Sequence, residues 1–493
     1  MKFGLEQHII DKMIAVFEQH SKVDKALVFG SRAKGNYRPD SDIDIAIKGQ
    51  DLNTDDIIAM SVAFEEKGIT HKIDLINYHT IKEPDLEDHI VRVGIELYSR
   101  WKKYTLGEIS DKITDGAHLS PKDFINGKIM FSVKDMIDNG FDYTKPKTIS
   151  QEDFVALEKQ GCKPEIDDIL IAKDGSVLKH IFRVVNEPDY VLLSSIAIIK
   201  PKQEIIDPSF LVYTLKNPKI TDTILTNFVS GSGVPRIVLK DFKKVDVSVP
   251  PLFEQTAIAS ILTSLDDKID LLHRQNKTLE QLAETLFRHW FVEDAEESWE
   301  TKKVSEIIEI RDGTHDSPKQ TETGKFLITS KHLKPTGIDF SSAYKISEND
   351  FIEVNKRSKV DKDDILFSMI GTLGLIHYVD QEPDFAIKNI GLFKSSQKPS
   401  FARFLFLLLI SPEGKRFVYE NADGSTQEYI TLGSLRKFEF KYPGEKRIIE
   451  FDLEVKPIFQ KIDSNTSQIR SLTQTRDTLL PKLMSGEVRV NLY

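Results

Sequence analysis

Three aspartates in the first hundred residues have the spacing of a site for phosphate chemistry. Asp42 and Asp44 alternate with apolar residues in the segment 41–47, so on a strand both carboxylates point to the same face. Asp74 lies in a second alternating segment, 72–76. Carboxylates from adjacent strands form a hard oxygen site that suits Mg²⁺. Such ions can align a nucleophile and polarise a triphosphate, so we expect these aspartates to be both catalytic and metal-binding.

A glycine-containing turn follows the short apolar segment 26–29 and completes this candidate site. Gly30 allows the backbone to approach phosphate groups, and Ser31 supplies a hydroxyl and a backbone N–H. Arg32 and Lys34 carry positive charge that can meet phosphate. We therefore predict that these residues bind the nucleotide. Two other interpretations stay open: a degenerate domain kept only for binding, and aspartates that merely belong to a turn.

This layout resembles the minimal nucleotidyltransferases of the polymerase-beta superfamily over about residues 1–99, with a closing helix expected at 90–98. Gly30, Ser31 and the aspartates match the family's pattern, so the resemblance implies an intact catalytic set. It also implies Mg²⁺ and ATP, or another nucleoside triphosphate, as cofactors. Because the family includes antitoxins that adenylylate a partner toxin, it implies transfer of AMP to a protein or a nucleotide.

The rest of the chain repeats itself. The segment 101–109 (WKKYTLGEI) matches 299–307 (WETKKVSEI), and each copy continues into a similar turn, 115–122 (DGAHLSPK) and 312–319 (DGTHDSPK). Several matches in the same order make coincidence a poor explanation. Between these landmarks, short β-type runs alternate with glycine- and proline-containing turns, so we expect two copies of one mixed α/β domain.

Each copy ends in a segment with the periodicity of a long coiled-coil helix. Over 254–291 the chain has no proline or glycine, and apolar residues recur every seven positions; the segment 451–483 repeats this pattern. Asn276 and Asn465 occupy the two seams, where buried polar residues can fix register at some cost in stability. An isolated helix cannot bury such a stripe, so the simplest arrangement pairs the two helices. The alternative is that each helix packs on its own globular domain.

Two globular domains, each followed by a long helix, resemble the specificity subunit of a type I restriction-modification system over about residues 101–493. The motifs that carry the resemblance are the start at 101–109, the entry to the first helix at 249–255 (VPPLFEQ) and the tail at 479–488 (LLPKLMSGEV). The second copy departs from this pattern, because 442–446 (YPGEK) stands where the first copy has its Pro-Pro entry. The start of the second helix can therefore differ.

The resemblance implies that each globular domain reads one half of a split sequence in double-stranded DNA, and that the paired helices fix the gap between the halves. It also implies docking of methyltransferase subunits, which carry S-adenosylmethionine, and of a motor/nuclease subunit. The specificity region would then catalyse nothing by itself. As an alternative, the chain is primarily a nucleotidyltransferase that transfers AMP to a partner protein and is delivered to its site by the repeat domains. A purely structural scaffold is a third hypothesis.

These patterns predict an α/β (α+β) multidomain protein whose long helices pair as an antiparallel coiled coil. No linker rich in glycine, serine or proline separates the first two domains, so we expect them to be held close together. The predicted parts are a nucleotidyltransferase-like domain (1–100), two target-recognition domains (101–253 and 299–446), a first coiled-coil helix (254–292) and a second coiled-coil helix with the C-terminal tail (447–493).

The candidate DNA contacts follow less directly from the sequence. Lys122 and Lys319 come at the ends of the matching turns and can face phosphate, although a purely structural turn explains them equally well. Arg236 follows a glycine-rich loop at 231–235 and can approach a groove, where arginine is the commonest reader of guanine. Lys173 and Lys331 complete the predicted set, because lysine commonly contacts phosphate.

Composition sets limits on these interpretations. The formal net charge of −10 counts against a uniformly basic surface, but a basic groove can lie on an acidic body. Cys162 is the single cysteine of the sequence, which excludes an internal disulfide and argues against a cysteine-based metal site. The first ten residues have no signal-peptide pattern, and no segment is apolar enough to span a bilayer. We therefore expect a cytoplasmic protein with no membrane partner.

Overall fold

A computed structural model describes residues 2–231, 233–334, 337–424 and 428–490. The chain forms two compact units, the first made of residues 1–265 with 475–493 and the second of residues 266–474. Each unit has hydrophobic cores of its own. These two units do not correspond to the five predicted parts, because each long helix contributes residues to both units. The division into five parts therefore stays a prediction.

The N-terminal part of the first unit is a small α/β domain, which we call the N-terminal domain (residues 2–99). Its helices are α1 (Gln7–Gln19), α2 (Gly30–Lys34), α3 (Thr54–Glu66) and α4 (Pro84–Val93), and its strands are β1 (Val23–Val28), β2 (Ile43–Gly49), β3 (Ile73–Asn77) and β4 (Ile95–Ser99). The sheet has the order β3-β2-β1-β4. Strands β2 and β3 are parallel, whereas β1 is antiparallel to both β2 and β4.

The expected closing helix at 90–98 is wrong in its second half. Helix α4 ends at Val93, Gly94 has an extended backbone, and β4 then pairs with β1 along the edge of the sheet. Glycine is a poor helix residue in the interior of a helix, and pairing with β1 satisfies the backbone groups of 95–99 instead. The segment therefore completes the sheet and leads directly into the next domain.

The remainder of the first unit is built around the first repeat domain (residues 101–251). A four-stranded sheet has the order β12-β11-β14-β6, a three-stranded sheet has the order β10-β7-β13, and β5 pairs with β17. The elements are β5 (Lys102–Thr105), β6 (Ser110–Asp115), β7 (Lys128–Phe131), β8 (Met136–Ile137), β9 (Gly140–Phe141), β10 (Lys147–Ile149), α5 (Gln151–Lys159), β11 (Ile169–Ala172), β12 (Ile181–Arg183), β13 (Tyr190–Leu192), β14 (Ile196–Pro201), α6 (Pro208–Lys216), α7 (Pro218–Asn227), β15 (Val229–Ser230), β16 (Arg236–Ile237), α8 (Leu239–Phe242), β17 (Asp246–Val249) and the long helix α9 (Leu252–Arg288).

The second repeat domain (residues 299–444) has the same plan, which confirms the predicted repeat. Its sheets have the orders β25-β24-β27-β19 and β23-β20-β26, and β18 pairs with β28. The elements are β18 (Glu300–Lys303), β19 (Ile310–Asp312), β20 (Lys325–Thr329), β21 (Leu333–Lys334), β22 (Gly337–Ile338), β23 (Lys345–Ile346), α10 (Glu348–Ser358), β24 (Ile365–Ser368), β25 (Ile376–Tyr378), β26 (Phe385–Lys388), β27 (Ile390–Phe393), α11 (Pro399–Ile410), α12 (Pro412–Glu420), α13 (Leu432–Leu435), β28 (Glu439–Tyr442) and the long helix α14 (Glu445–Ser485).

The two long helices pack against each other in antiparallel directions, as predicted. Within the second unit, Asn276 of α9 lies beside Asn465 of α14, and the Phe287 ring lies 6.1 Å from the Phe451 ring. The residue numbers rise along α9 where they fall along α14, so the two helices are antiparallel. All positions of the predicted apolar seams are buried or half-buried. Within the first unit, the seam residues of α9 join one apolar cluster with Leu480 of α14.

The C-terminal end of α9 also packs into the second repeat domain, so the alternative interpretation of the helices holds locally as well. Phe287 of α9 and Phe291, in the π-helical turn His289–Glu293 that directly follows α9, lie outside the predicted seam, yet both are buried in the core of that domain. The Phe291 ring lies 4.8 Å from Phe404 of α11 and 4.8 Å from Phe451 of α14. The helix is therefore anchored by aromatic packing where the second domain begins.

Within the part of the chain that the structure describes, no helix combines the length and the apolar character needed to cross a membrane. The most apolar helix, α11, is buried in the core of the second repeat domain.

Candidate active site and candidate DNA-binding surface

The predicted catalytic aspartates meet where the parallel strands β2 and β3 of the N-terminal sheet begin. Strands β2 and β3 are parallel and in register, with Asp44 directly opposite Asp74. Asp42 comes one residue before β2 begins, and all three side chains are half-buried. Neighbouring residues at the same register position share a face of the sheet, so Asp44 and Asp74 lie on the same face.

Lys72 places a positive charge between two of these carboxylates. Its Nζ donates hydrogen bonds to Asp42 Oδ2 at 2.8 Å and to Asp74 Oδ2 at 3.1 Å. These bonds, with Asp42 contributing first, raise the pKa of the exposed Lys72 ammonium. Sequence reasoning missed this residue, although its position two residues before Asp74 places it on the same side of the strand.

Burial raises the pKa of Asp44, and repulsion from Asp74 and then Asp42 raises it further, while Lys72 lowers it. The site therefore holds more negative charge than its surroundings neutralise, which is the electrostatic condition for binding a cation. Among the described residues, no three acidic, histidine or cysteine side chains are already placed to hold a metal ion together. The carboxylate oxygens fit Mg²⁺ in type and charge, and the Lys72 ammonium occupies the space between those of Asp42 and Asp74.

Gly30 is required by the close approach of Asp44. Its φ of +69° lies in the left-handed region, and a Cβ atom at this position would lie 2.2 Å from Asp44 Oδ2. The backbone N–H of Phe29 also donates to the Asp44 carbonyl at 2.9 Å. The turn that carries Gly30 and Ser31 is thus packed directly against the strand that carries the candidate catalytic residue.

Arg32 is buried in a different role from the predicted one. It is 3% exposed, and its guanidinium donates to the backbone carbonyls of Ser41 at 2.7 Å and Phe3 at 3.1 Å. These bonds hold the loop that leads to Asp42, so Arg32 positions the site; contact with a phosphate would require this buried group to leave its carbonyl partners. Lys34 is exposed and available to a nucleotide.

The N-terminal domain is fixed to the start of α9 through the residues at the domain junction. Arg100 donates to the Ser21 carbonyl at 2.6 Å and forms an ion pair with Glu254 at 3.0 Å. The indole Nε1 of Trp101 donates to the other oxygen of Glu254 at 3.4 Å. Glu254 is only 5% exposed, so this ion pair is shielded from solvent.

The C-terminal tail holds the same domain from a second side. Arg489 forms an ion pair with Asp24 and donates to the Ser21 carbonyl at 3.0 Å. Gln50, which directly follows β2, donates to the Glu487 carbonyl at 2.8 Å. Because Gln50 follows the end of β2 and Asp42 precedes its start, the tail contacts the domain at the opposite end of this strand from the candidate active site.

The predicted DNA contacts lie in different environments. Lys122, Lys319, Lys331 and Arg236 are exposed. Lys173 is 7% exposed, and its ammonium lies 3.1 Å from Asp174 and 3.4 Å from Asp115, so its charge is neutralised within the fold. We therefore do not include Lys173 among the side chains available to a phosphate.

The matching turns have a structural function that the sequence left open. His118 lies 3.3 Å from Asp115, and the equivalent His315 lies 3.0 Å from Asp312. His315 also pairs with Asn389 at 2.9 Å. In both domains the histidine therefore closes its turn onto the aspartate three residues earlier.

A lysine that the sequence did not single out is equivalent to Lys331. Lys134 occupies the 3₁₀ turn Val133–Asp135 as Lys331 occupies the turn Ser330–His332, and each turn begins with a capping box, on Ser132 and Thr329. Both lysines are exposed. The signal was present in the matched segments 131–136 (FSVKDM) and 328–333 (ITSKHL), which lack the glycine and proline that mark most turns.

Comparisons with known proteins match the two parts of the chain separately. The family model for the type I restriction modification DNA specificity domain matches residues 98–281 and 296–470. The model for polymerase beta nucleotidyltransferases matches residues 11–103.

Individual relatives agree with the longer match. The type I restriction enzyme MjaIX specificity subunit of Methanocaldococcus jannaschii is 27% identical over 59% of this chain and 71% of its own length. The HindI specificity subunit of Haemophilus influenzae is 24% identical over 79% of this chain and 100% of its own length. The crystal structure of a type I restriction-modification S subunit from M. genitalium has a TM-score of 0.50 at 19% identity, covering 80% of this chain and 97% of that one. This last match shows a shared fold.

Proposed function

We propose, from the premise that this chain belongs to the type I restriction-modification DNA specificity family, that it selects the DNA target of such a system. Each repeat domain would read one half of a split sequence in double-stranded DNA. The observation that carries the proposal is the duplicated domain: two copies with the same strand orders, joined to helices that pair with each other. A duplicated reader suits a split target, because the spacing of half-sites is a geometric quantity.

The partners of this function are methyltransferase subunits, which supply S-adenosylmethionine, and a motor/nuclease subunit for cleavage. The support for them is that the relatives are named as specificity subunits of type I restriction enzymes. In such a complex this chain would contribute target selection and docking, and the partner subunits would contribute the chemistry.

Methylome sequencing of a host with and without the gene tests this function and yields the target. We expect methylation of one split motif to disappear when the gene is deleted and to return when it is restored. A methylome that is identical in the three strains, with the methyltransferase gene intact and expressed, would refute target selection by this chain.

A second function is favoured by a specific observation, the convergence of Asp42, Asp44 and Asp74 beside Gly30. We propose that the N-terminal domain transfers a nucleotidyl group, with AMP from ATP as the leading case and pyrophosphate as the leaving group. Bound Mg²⁺ would neutralise the triphosphate and polarise the phosphorus that is attacked. The aspartates would hold Mg²⁺, Gly30 would admit the phosphates close to the backbone, and Lys34 would lie free to contact them.

ATP labelled in its α-phosphate, with Mg²⁺, tests this second function in the full chain, with the methyltransferase subunits present as candidate acceptors. We expect label transfer with the wild type and with Asp51→Asn, an exposed acid beyond the end of β2 that serves as the matched control. Asp44→Asn should abolish the transfer. Equal labelling by Asp44→Asn, or no labelling by any form, would contradict the proposal.

A further inference from the structure

The two repeat domains share one backbone frame, in which the loop after the central strand is bonded to a second segment of the chain. In the first domain the loop after β11 and the strand β16 are joined by hydrogen bonds from Gly175 to the Pro235 carbonyl (2.8 Å) and from Ile237 to the Lys173 carbonyl (3.0 Å). In the second domain the loop after β24 makes the same pair of bonds, from Gly371 to the Glu428 carbonyl (3.2 Å) and from Ile430 to the Met369 carbonyl (2.9 Å).

These bonds define which residues are equivalent. Asp174 forms a β-bridge with Arg236 in the first domain, and Ile370 forms the corresponding bridge with Tyr429 in the second. The glycine after each loop residue has a positive φ, +75° at Gly175 and +83° at Gly371. The backbone is therefore the same, but the exposed side chains differ. The first domain presents the Arg236 guanidinium, because Asp174 is half-buried and accepts from Lys173 Nζ at 3.1 Å, whereas the second domain presents Ile370 and Tyr429.

The neighbouring inward-facing positions do not differ in this way. Ile237 and Ile430, which directly follow the two exposed residues, are 2% and 1% exposed and belong to the domain cores. Arg236 is exposed, and Ile370 and Tyr429 are 37% and 43% exposed. Two domains that fold alike and bind different sequences must keep their buried core positions and vary their exposed positions.

A cavity opens beside this frame in the second repeat domain. It has a volume of about 560 Å³ and is lined by the loop residues Ile370 and Thr372, by Lys331 and Lys334 on the facing turn and strand, and by Asn389. Both lysines are exposed. Ammonium groups suit phosphate oxygens, whereas a hydroxyl, an amide and an apolar side chain are the groups that read base edges. This mixture fits a nucleic acid that presents its backbone and its bases to the same surface.

We propose that this shared backbone frame is the base-reading site of each repeat domain, with Arg236 setting the preference of one and Ile370 and Tyr429 that of the other. The inference rests on the proposed DNA-selecting function and deepens it. Arg236 has the donor geometry for guanine, and Ile370 with Tyr429 offers apolar contact to the thymine methyl group. Lys331 and its equivalent Lys134 would contact the flanking phosphates and position each domain.

The test uses the full chain assembled with its methyltransferase subunits and a pool of randomised DNA duplexes, from which the bound duplexes are sequenced. We expect Tyr429→Ala to reduce base discrimination about ten-fold at positions of one half-site, a change on the scale of one good base contact. Arg236→Ala should do the same in the other half-site only. The gap between the halves should not change in either variant.

Matched controls are exposed residues of the same domains outside the frame. Tyr419→Ala removes a tyrosine that is 86% exposed on α12, and Lys240→Ala removes an exposed cation of α8. Both controls should leave the selected sequence unchanged. Tyr429→Arg installs the side chain that the first domain carries, so it should alter the preferred bases of that half-site while binding is retained.

The outcomes separate this inference from the function on which it rests. If the wild type selects a split sequence and Tyr429→Ala, Tyr429→Arg and Arg236→Ala all select the same one, the base-reading assignment is overturned. It is also overturned if each variant changes both half-sites equally, because that pattern indicates a general loss of folding or of phosphate contact. If the wild type itself selects no split sequence, the proposed DNA-selecting function fails, and the inference fails with it.

Discussion

At the scale of single residues, the candidate active site depends on how closely the chain can approach itself. Gly30 satisfies two demands together, a left-handed backbone and the absence of a Cβ beside Asp44. The sequence predicted that Gly30 belongs to the site but assigned its small size to phosphate approach. The structure adds a carboxylate that already occupies the space of the missing side chain. Arg32 illustrates the opposite case, because its charge predicted a phosphate contact and its burial makes it a support for the loop.

Gly30→Ala should destabilise the N-terminal domain more than Gly35→Ala. Both glycines have a positive φ, +69° and +76°, but only Gly30 has a neighbour within 4 Å of the added Cβ. A strained backbone costs about 1–3 kcal/mol at either position, and the clash with Asp44 adds to this at Gly30 alone. Hydrogen exchange of β1 and β2 in the full chain measures the difference. Equal protection in the two variants would show that the Asp44 contact is not a packing constraint.

The stability of the second unit depends on pH through Asp463 of α14. Burial raises its pKa to about 6, and repulsion from Asp380 contributes in the same direction. A raised folded-state pKa means that the folded protein binds the proton more tightly than the unfolded chain does. Stability from this group therefore falls as the pH rises from about 4 to about 6, and the full cost is present above that window.

Asp463→Asn should accordingly raise the unfolding temperature of the second unit at pH 8 and change it little at pH 4. Scanning calorimetry at the two pH values measures both effects. Asp267→Asn, an exposed acid on α9, is the control and should leave both temperatures unchanged. A gain from Asp463→Asn that is as large at pH 4 as at pH 8 would contradict the electrostatic explanation.

At the scale of elements, periodicity was the most informative part of the sequence. Both helix seams and their antiparallel pairing were predicted from heptads, because a regular stripe on an isolated helix must be covered. The anchoring of α9 by Phe287 and Phe291 was not predicted, since these side chains fall outside the heptad positions and their partners Phe404 and Phe451 are distant in sequence. Strand β4 was mistaken for helix for the same reason: its pairing with β1 is a tertiary contact.

Substitution of Asn276 and Asn465 tests how much the polar pair at the centre of the helix seam contributes to stability. Asn465 Nδ2 donates to Asn276 Oδ1 at 2.8 Å, while Asn465 Oδ1 is buried without a partner among the described residues. Replacing Asn465 alone by Leu should cost about 1–3 kcal/mol, because the buried Asn276 Oδ1 loses the donor that Asn465 supplies, although Asn276 Nδ2 keeps its bond to Thr466 at 3.3 Å. Replacing both asparagines by Leu should recover that loss or exceed the wild-type stability.

Urea unfolding of the two single variants and the double variant provides the measurement as a double-mutant cycle. Additive changes in the free energy of unfolding would show that the asparagines do not interact. A stabilised double variant that loses a unique helix register, seen as broadened hydrogen exchange along α9 and α14, would identify the pair as a register device.

At the scale of the whole molecule, the chain joins two parts that match different family models. The boundary between the parts is visible in the sequence, whereas the contacts that attach them are not. The repeat and its two motif sets predicted the order of the parts. The contacts of Arg489 with Asp24 and of Gln50 with the Glu487 carbonyl could not be predicted, because they join residues more than four hundred positions apart and follow no periodic pattern. The net charge of the chain was also a poor guide to where positive charge lies, because exposed lysines such as Lys134 and Lys331 occur on an acidic chain.

The proposed measuring function of the helices belongs to this scale. Inserting seven residues, one heptad, into both α9 and α14 keeps the apolar seams in phase and lengthens each helix by about 10 Å at 1.5 Å per residue. Since each base pair occupies about 3.4 Å along the duplex, we expect the preferred gap to grow by roughly three base pairs with both half-sites unchanged. Methylome sequencing reports the gap directly. An insertion of the same length in the acidic segment 294–298 is the control, and a lengthened gap there, or an unchanged gap after the helix insertions, would refute the measuring function.

The contact between the C-terminal tail and the N-terminal domain forms late during synthesis of the chain. Asp24 leaves the ribosome early, whereas Arg489 is added close to the end of the chain described here. At about 5–20 residues per second, the intervening segment takes roughly 20–90 s to translate. During that interval the N-terminal domain lacks its contact with the tail, and its contact with Glu254 forms only after the start of α9 has been synthesised. If the proposed nucleotidyl transfer requires the domain without its tail contact, the transfer would take place on the nascent chain, before α14 is complete.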